Sequence, residues 1–367
     1  MATIRSFIRR EPVLLIAVLA AAVSGVFVPP DKTYFDYIDF RTLALLYCLM
    51  VVIAGLRGAG LFAYLAHVLC AKAGNIRAMG VLLVLMCFVS SMLITNDVAL
   101  LTFVPFAVVV LGAAGHQREL ITVVVLQTAA ANLGSMLTPV GNPQNLYLYS
   151  YYGMGFGEFL RVTFPVWILS CVLLLAACRL LPKERLDAFL GEEPHLDKRS
   201  FRLYLALFAV CLLVVLRVCE WPVMLAVIAA ALLLFDREPL IRADFMLLLT
   251  FVAFFVFAGN LARIESVDTL LRRMISGHEY LAGVLTSQVI SNVPAALLLS
   301  GFTENARALL LGVNIGGLGT PIASLASLIS MKLYAHSEHA RIGRYLAVFL
   351  TVNCVLLLLL SGARMLL

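Results

Sequence analysis

Four short polar interruptions sit inside long apolar runs of this 367-residue chain: Thr95-Asn96-Asp97, TPVGNPQN from Thr138 to Asn145, Ser291-Asn292-Val293-Pro294, and GTPIAS at 319–324. Their residue types suit the capture of small ions. Asn amides, Thr and Ser hydroxyls and freed backbone carbonyls are hard oxygen ligands of the kind that hold Na+. Pro139, Pro143, Pro294 and Pro321 each lack the N–H that would tie a carbonyl into a helix. A helix that restarts after such a break points partial positive charge at an anion. One construction therefore serves both a coupling cation and an anionic substrate. A single Asn or Thr in such a place is explained by a helix–helix hydrogen bond worth about 1 kcal/mol; four aligned breaks point to a site.

Asp97 is the only acidic residue that falls deep in an apolar run, where a carboxylate costs about 2.5–3.5 kcal/mol. Three roles remain open for it: a cation ligand, a proton carrier, or a cap for a helix restarting at Val98. Other chemistry is poorly supplied. HSEH at 336–339 has two histidines but sits in a basic loop without further ligands, and GMGFGEFLRV from Gly153 is no complete phosphate loop. An intramembrane enzyme needs a nucleophile–base pair or metal ligands at depth, and the sequence has no H-E-x-x-H and no ATP-binding loop.

The elements that must position these residues are membrane helices. The chain is 62% hydrophobic and 13% charged, against roughly 45–50% and about 25% in soluble domains. Apolar runs lie near 13–30, 40–56, 79–94, 98–114, 119–137, 162–181, 202–218, 222–236, 243–259, 280–303, 305–334 and 345–361. The first follows Arg5, Arg9 and Arg10 and invites comparison with a signal peptide, but the later spans alternate correctly only if it is kept. With the N-terminus in the cytoplasm, roughly two-thirds of the 27 Lys and Arg face inside, as the positive-inside rule requires. The net charge of +6 thus reports orientation and not a nucleic-acid partner. The eight cysteines lie in or beside apolar runs with no C-x-x-C, as ordinary small buried side chains do.

The polar stretch 182–200 divides the chain into halves with one plan. Asp39-Phe and Asp244-Phe each open a span that closes on Gly; TNDVALL at 95–101 pairs with SNVPAAL at 291–297. NLGSMLTPVGNPQNL from Asn132 pairs with NIGGLGTPIASLASL from Asn314 at a constant offset of 182. Each limb around Thr95-Asn96-Asp97 is counted as about 15 residues, roughly 23 Å of helix against a core of about 30 Å. A hairpin entering from the cytoplasm and returning fits this length, and the limbs around Ser291 fit a hairpin from the outside. The chain is therefore expected to be an all-α polytopic membrane protein of two inverted repeats, each with a re-entrant helical hairpin and a broken transmembrane helix. Residues 1–181 form the first half (hairpin 77–115, broken helix 119–152, closing helix 162–181) and 182–200 a cytoplasmic linker. Residues 201–367 form the second half (hairpin 279–304, broken helix 305–334, last helix 345–361). Paired interruptions in inverted repeats meet near the midplane, where secondary transporters bind their cargo.

At these residues the sequence resembles the ion transporter superfamily, which includes divalent-anion/sodium symporters, citrate-transporter-like permeases, arsenite permeases and some sodium/proton antiporters. The resemblance spans about residues 39 to 361 and is carried by Thr95-Asn96-Asp97, Asn132 to Asn145, Ser291 to Pro294 and Asn314 to Ser324. It implies a homodimer embedded in lipid, with a scaffold and a mobile transport domain working by elevator-type alternating access in a bacterial-type inner or plasma membrane. Carried across, Asn96 and Asp97 with Gly141 and Asn142 form one Na+ site, and Asn292 with Thr320 and Ser324 the other. Thr95, Asn132, Thr138, Gln144, Asn145, Ser291 and Asn314 complete the candidate binding set. No cofactor is implied beyond Na+ or H+ as coupling ion. The dicarboxylate branch reads Ser-Asn-Thr at both tips, whereas this chain has Asp97 and Val293 in the Thr places. An acidic tip repels a dicarboxylate. The expected function is secondary active transport of a small carboxylate or oxyanion, with an arsenite exporter or Na+/H+ antiporter as the alternative.

Overall fold

The structure, a computed structural model, describes residues 11–113, 115–186, 194–337 and 339–364. Arg5, Arg9, Arg10, most of the linker's acidic stretch and Glu338 of the HSEH segment lie outside the described residues. Ahead of the linker come α1 (Pro12–Phe27), α2 (Phe40–Gly58), α3 (Leu61–Cys70), α4 (Ile76–Ile94), α5 (Asn96–Ala113), α6 (Gln117–Ser135), α7 (Pro143–Tyr151) and α8 (Phe156–Ala177). After it come α9 (Lys198–Val215), α10 (Trp221–Phe235), α11 (Glu238–Arg242), α12 (Phe245–Arg263) and α13 (Glu265–Ile275). The remainder is α14 (Glu279–Ile290), α15 (Asn292–Ser300), α16 (Ala306–Ile315), α17 (Leu325–Ala335) and α18 (Ile342–Arg364). Among the described residues no strand forms beyond one antiparallel bridge between Asn75 and Arg185. Among the described residues five helices are long and apolar enough to cross a membrane: α2, α4, α8 with its extension to Leu180, α12 and α18. This is an all-helical integral membrane protein.

The two Asp-Phe pairs do the same local work. Asp39 caps α2 by accepting from the Thr42 N–H at 2.9 Å, and Asp244 caps α12 by accepting from the Leu247 N–H at 3.0 Å. Such a cap stabilises a helix start by about 1 kcal/mol. The two helices run in opposite directions against each other. Tyr37, ahead of α2, accepts from Arg263 at the far end of α12 at 3.1 Å and lies where a Gly259 side chain would begin. Farther along α2, the Tyr47 hydroxyl donates to the Leu240 carbonyl ahead of α12 at 3.1 Å. Asn260 ties α12 to α1 by donating to Ser24 at 3.0 Å and to the Tyr34 hydroxyl at 2.9 Å.

Three expectations need correction. The limbs around Thr95 are 19 and 18 residues long, not about 15, because Asn75 caps α4 early, accepting from the Ala78 N–H at 2.9 Å. At 1.5 Å per residue each limb reaches nearly the ~30 Å of a bilayer core, so their length alone does not make a hairpin. The prolines start helices here and do not break them. Pro143 opens α7, Pro139 and Pro321 open single 3-10 turns, and Pro294 is the third residue of α15. A first-turn N–H has no intrahelical partner, so its loss is harmless. Asp97, finally, does not precede its helix: α5 begins at Asn96 and Asp97 lies within its first turn.

Two elements escaped the hydropathy reading. The short α3 falls between the apolar runs, and α13 carries Glu265, Asp268, Arg272 and Arg273 beside exposed Leu270 and Met274. Amphipathic periodicity was its signal; average hydropathy hides it.

Candidate functional site

A single local construction occurs twice. Thr95 (φ 69°, ψ 151°) and Ser291 (φ 77°, ψ 155°) each combine a positive φ with an extended ψ between two helices, and an Asn follows at once. This conformation is essentially a glycine one, and a residue with a Cβ holds it only where the surrounding structure enforces it. Gly134 packs so closely on Phe88 and Ser91 that a Cβ would sit 2.1 Å from the Phe88 carbonyl oxygen. Gly316, at the corresponding place, faces Val284 and Ser287, where a Cβ would lie 2.9 Å from the Val284 Cα. Past these glycines α6 and α16 unwind. The Thr138 hydroxyl donates to the Met92 carbonyl, and the Thr320 hydroxyl donates to the Gln288 carbonyl at 3.3 Å. The 3-10 turns Pro139–Gly141 and Pro321–Ala323 then lead through extended Asn142 and Ser324 into α7 and α17.

Two asparagines lock the paired breaks together. Asn132 Oδ1 accepts from Asn96 Nδ2 at 2.9 Å and from the Ser324 hydroxyl at 3.0 Å, and its Nδ2 donates to the Gly317 carbonyl at 3.4 Å. Asn314 Nδ2 donates to Asn145 Oδ1 at 2.7 Å. Each of these asparagines thus braces the segment that follows the other break. Asn292 joins the same neighbourhood, because a Cβ on Gly317 would lie 2.9 Å from its Nδ2. Asn96, Asn132, Asn142, Gln144, Asn145, Ser291, Asn292, Asn314 and Ser324 are all buried. Burial of this many amides at membrane depth is tolerated only where partners or a ligand satisfy them.

Several are left unsatisfied. Asp97 Oδ1, Asn142 Oδ1, Gln144 Nε2 and Asn314 Oδ1 are buried without a hydrogen-bond partner, each an omission that costs about 1–3 kcal/mol unless something fills it. Asp97 and Asn142 line a cavity of about 570 Å³ bounded by α2, the segment entering α12, and the N-terminal ends of α5 and α7. Thr95, Asp97, Asn142 and Pro143 line it on one side; Ile53 and Leu247 are among the apolar residues opposite; Arg57, Arg242 and Asp244 are its exposed charged residues. The site is a polar floor under apolar walls with two helix N-termini facing in, a geometry suited to an ion or small anion.

The second group of candidate residues does not line this cavity. Thr320 is engaged by Gln288, whose Oε1 accepts from the Thr320 N–H at 2.9 Å while its Nε2 donates to the Gly316 and Leu318 carbonyls at 2.7 and 3.0 Å. Gln288 and Ser135 were both missed in the sequence. Ser135 accepts from Asn142 Nδ2 at 2.5 Å and, through its carbonyl, from Asn145 Nδ2 at 3.2 Å. Position relative to the breaks was the available signal: Gln288 stands three residues before Ser291, and Ser135 three before Thr138. Gly141 is held against that serine, since a Cβ there would fall 2.1 Å from the Ser135 carbonyl oxygen. Gly141→Ala should therefore destabilise the protein by about 1–3 kcal/mol or more. A melting midpoint in detergent equal to the wild type would show that the break relaxes around the methyl group. Among the described residues no group of three His, Cys, Asp or Glu could hold a metal ion, and His336 instead faces the Lys332 carbonyl at 2.7 Å.

Residues 1–306 match the family model described as "Citrate transporter" (CitMHS). An uncharacterized transporter of Methanocaldococcus jannaschii is 32% identical over 315 residues, 86% of each chain. Inner membrane protein YbiR of Escherichia coli is 29% identical over 316 residues, covering 84% of this chain and 83% of its own. A silicon efflux transporter of Oryza sativa is 32% identical over 154 residues, 41% of this chain and 31% of its own. The chain belongs to the citrate transporter (CitMHS) family and is a membrane transporter of that type, acting on a small solute.

Proposed function

We propose that this protein is a secondary active transporter that moves a small anion, a carboxylate or oxyanion, coupled to Na+ or H+. The observation that carries this reading is the cavity at the Thr95 and Asn142 breaks. Unpaired oxygens suited to a cation and helix N-termini suited to an anion meet in it. Inverted repeats are supported by the opposite directions of α2 and α12 and by the twice-built break. On this reading α2 and α12 belong to a scaffold and the broken helices to a domain that moves as an elevator, in a homodimer with the N-terminus in the cytoplasm. On the same reading Arg57 and Arg242, at the cavity's exposed rim, lie on the cytoplasmic side, in line with the positive-inside rule.

Asp97 on the cavity wall favours a second reading within the same class: a neutral hydroxylated oxyacid such as arsenite or silicic acid, or Na+/H+ exchange. The rice silicon efflux relative is in line with the former. Membership in a transporter family argues against an intramembrane enzyme. Proteoliposomes tested with labelled citrate, arsenite and germanic acid, a silicic acid analogue, separate these readings. Accumulation of one solute driven by an imposed Na+ or pH gradient is expected. Ion exchange with no solute movement would establish the antiporter, and product formation in detergent with neither would overturn the transporter reading.

A further inference from the structure

We propose that Asp244 is a working carboxylate of the cavity, which with Asp97 and Asn142 holds Na+ there; this rests on the ion-coupled transporter reading above. Asp244 and Asp39 occupy matching places, each before a Phe and each capping its helix, but the two carboxylates are used differently. Asp39 spends both oxygens on Thr42, one on its N–H and one on its hydroxyl. Three residues after Asp244 stands Leu247, which offers an N–H and no hydroxyl. Asp244 Oδ1 makes the cap, Oδ2 has no hydrogen bond among the described residues, and the side chain lines the cavity.

Among the described residues no ion pair joins it to the arginines beside it. Arg242 is paired with Glu238 at 2.6 Å, and Arg57 donates to the Leu101 carbonyl at 3.4 Å. Glu11 and Lys332 are the other charged groups nearby. The Glu11 carboxyl is raised by burial first and then by the negative charge of Asp244, with Lys332 opposing. A cation entering the cavity thus meets an exposed, unpaired carboxylate at the open end. Asn142 and Asp97 line the same cavity, and the Oδ1 of each is buried without a partner; Asn142 is 3% exposed. Three oxygen donors from two sides of one cavity, two of them anionic, match a small hard cation and not a bound dianion.

Asp244→Asn keeps the capping oxygen and removes the charge, and Asp39→Asn does the same at the matching cap away from the cavity. Melting of the purified full chain in detergent is followed while NaCl replaces choline chloride at constant ionic strength. Size-exclusion profiles confirm folding. Wild type is expected to be stabilised by Na+. Asp244→Asn should raise the midpoint Na+ concentration about tenfold, the effect of one charge at cavity distance in a partly screened medium, with Asp39→Asn within about twofold of wild type. A wild-type midpoint in Asp244→Asn, an equal shift in Asp39→Asn, or wild type indifferent to Na+ would each overturn the proposal. Counterflow of labelled citrate, arsenite or germanic acid and Na+/H+ exchange by wild type, measured alongside, separate the two levels: either activity together with any of these results removes only the Asp244 site, and the absence of both removes the transporter reading.

Discussion

Asn96→Ala and Asn292→Ala should each lower transport by about a hundredfold, at the upper end of losses seen when groups that organise an ion site are removed. Melting and the size-exclusion mass should stay close to wild type. Asn96 is 5% exposed and Asn292 4%, so either truncation deletes a buried amide from the junction of the two breaks. The loss of stability is small because hydrogen bonds between membrane helices average about 0.6 kcal/mol. After Asn96→Ala, Asn132 Oδ1 also keeps its bond from Ser324. What disappears is geometry. Asn96 Nδ2 positions Asn132, and Asn96 Oδ1 takes the Asp97 N–H at 2.9 Å, which fixes the first turn of α5 over the cavity. Gradient-driven uptake, solute counterflow and size-exclusion mass on the two single variants check this. Wild-type transport in both would remove these asparagines from the mechanism.

The breaks were legible in the sequence because an amide or hydroxyl inside an apolar run has few explanations in a membrane. Residues 95, 138–142, 291 and 320–324 are where the helices end and restart. Their detailed cause was misread. Four prolines looked like breakers, whereas the turn is made at Thr95 and Ser291 by positive φ, which residue identity alone does not announce. Residues that act through position were also hidden. Gln288 holds the Gly316–Thr320 break by three hydrogen bonds to backbone, yet in one dimension it is a polar residue in an apolar helix like any other. Asp244 was read only as a marker of the repeat. Its cavity-facing oxygen depends on Leu247 differing from Thr42, and on α2 and α12 running in opposite directions, neither of which hydropathy reports.

Asp97→Asn should abolish gradient-driven accumulation while leaving the fold and the break intact. Sequence alone left a cap, a cation ligand and a proton carrier open for this residue. The cap loses its footing in the geometry. α5 begins at Asn96, ahead of Asp97, and Asp97 lines the cavity with an Oδ1 that is buried and accepts no hydrogen bond. A structural role survives only as an acidic group in a first helical turn, where interaction with the helix dipole is worth about 0.3–1 kcal/mol. Asn would forfeit that much and no more, so a purely structural Asp97 predicts a slightly less stable transporter of normal activity. A coupling Asp97 predicts the opposite pattern: near-normal melting, loss of ion-driven accumulation, and exchange that no longer responds to the ion. Where Na+ and H+ compete for this one carboxylate, the apparent Na+ affinity of wild type falls as the pH is lowered, and Asp97→Asn flattens that dependence. Asp97→Glu, which keeps the charge on a longer arm, should restore part of the coupling, whereas a shape-only role gives Glu no advantage over Asn. Full accumulation by Asp97→Asn with an unchanged ion profile would end the coupling role, and a carboxylate anion would then become the better candidate for the substrate.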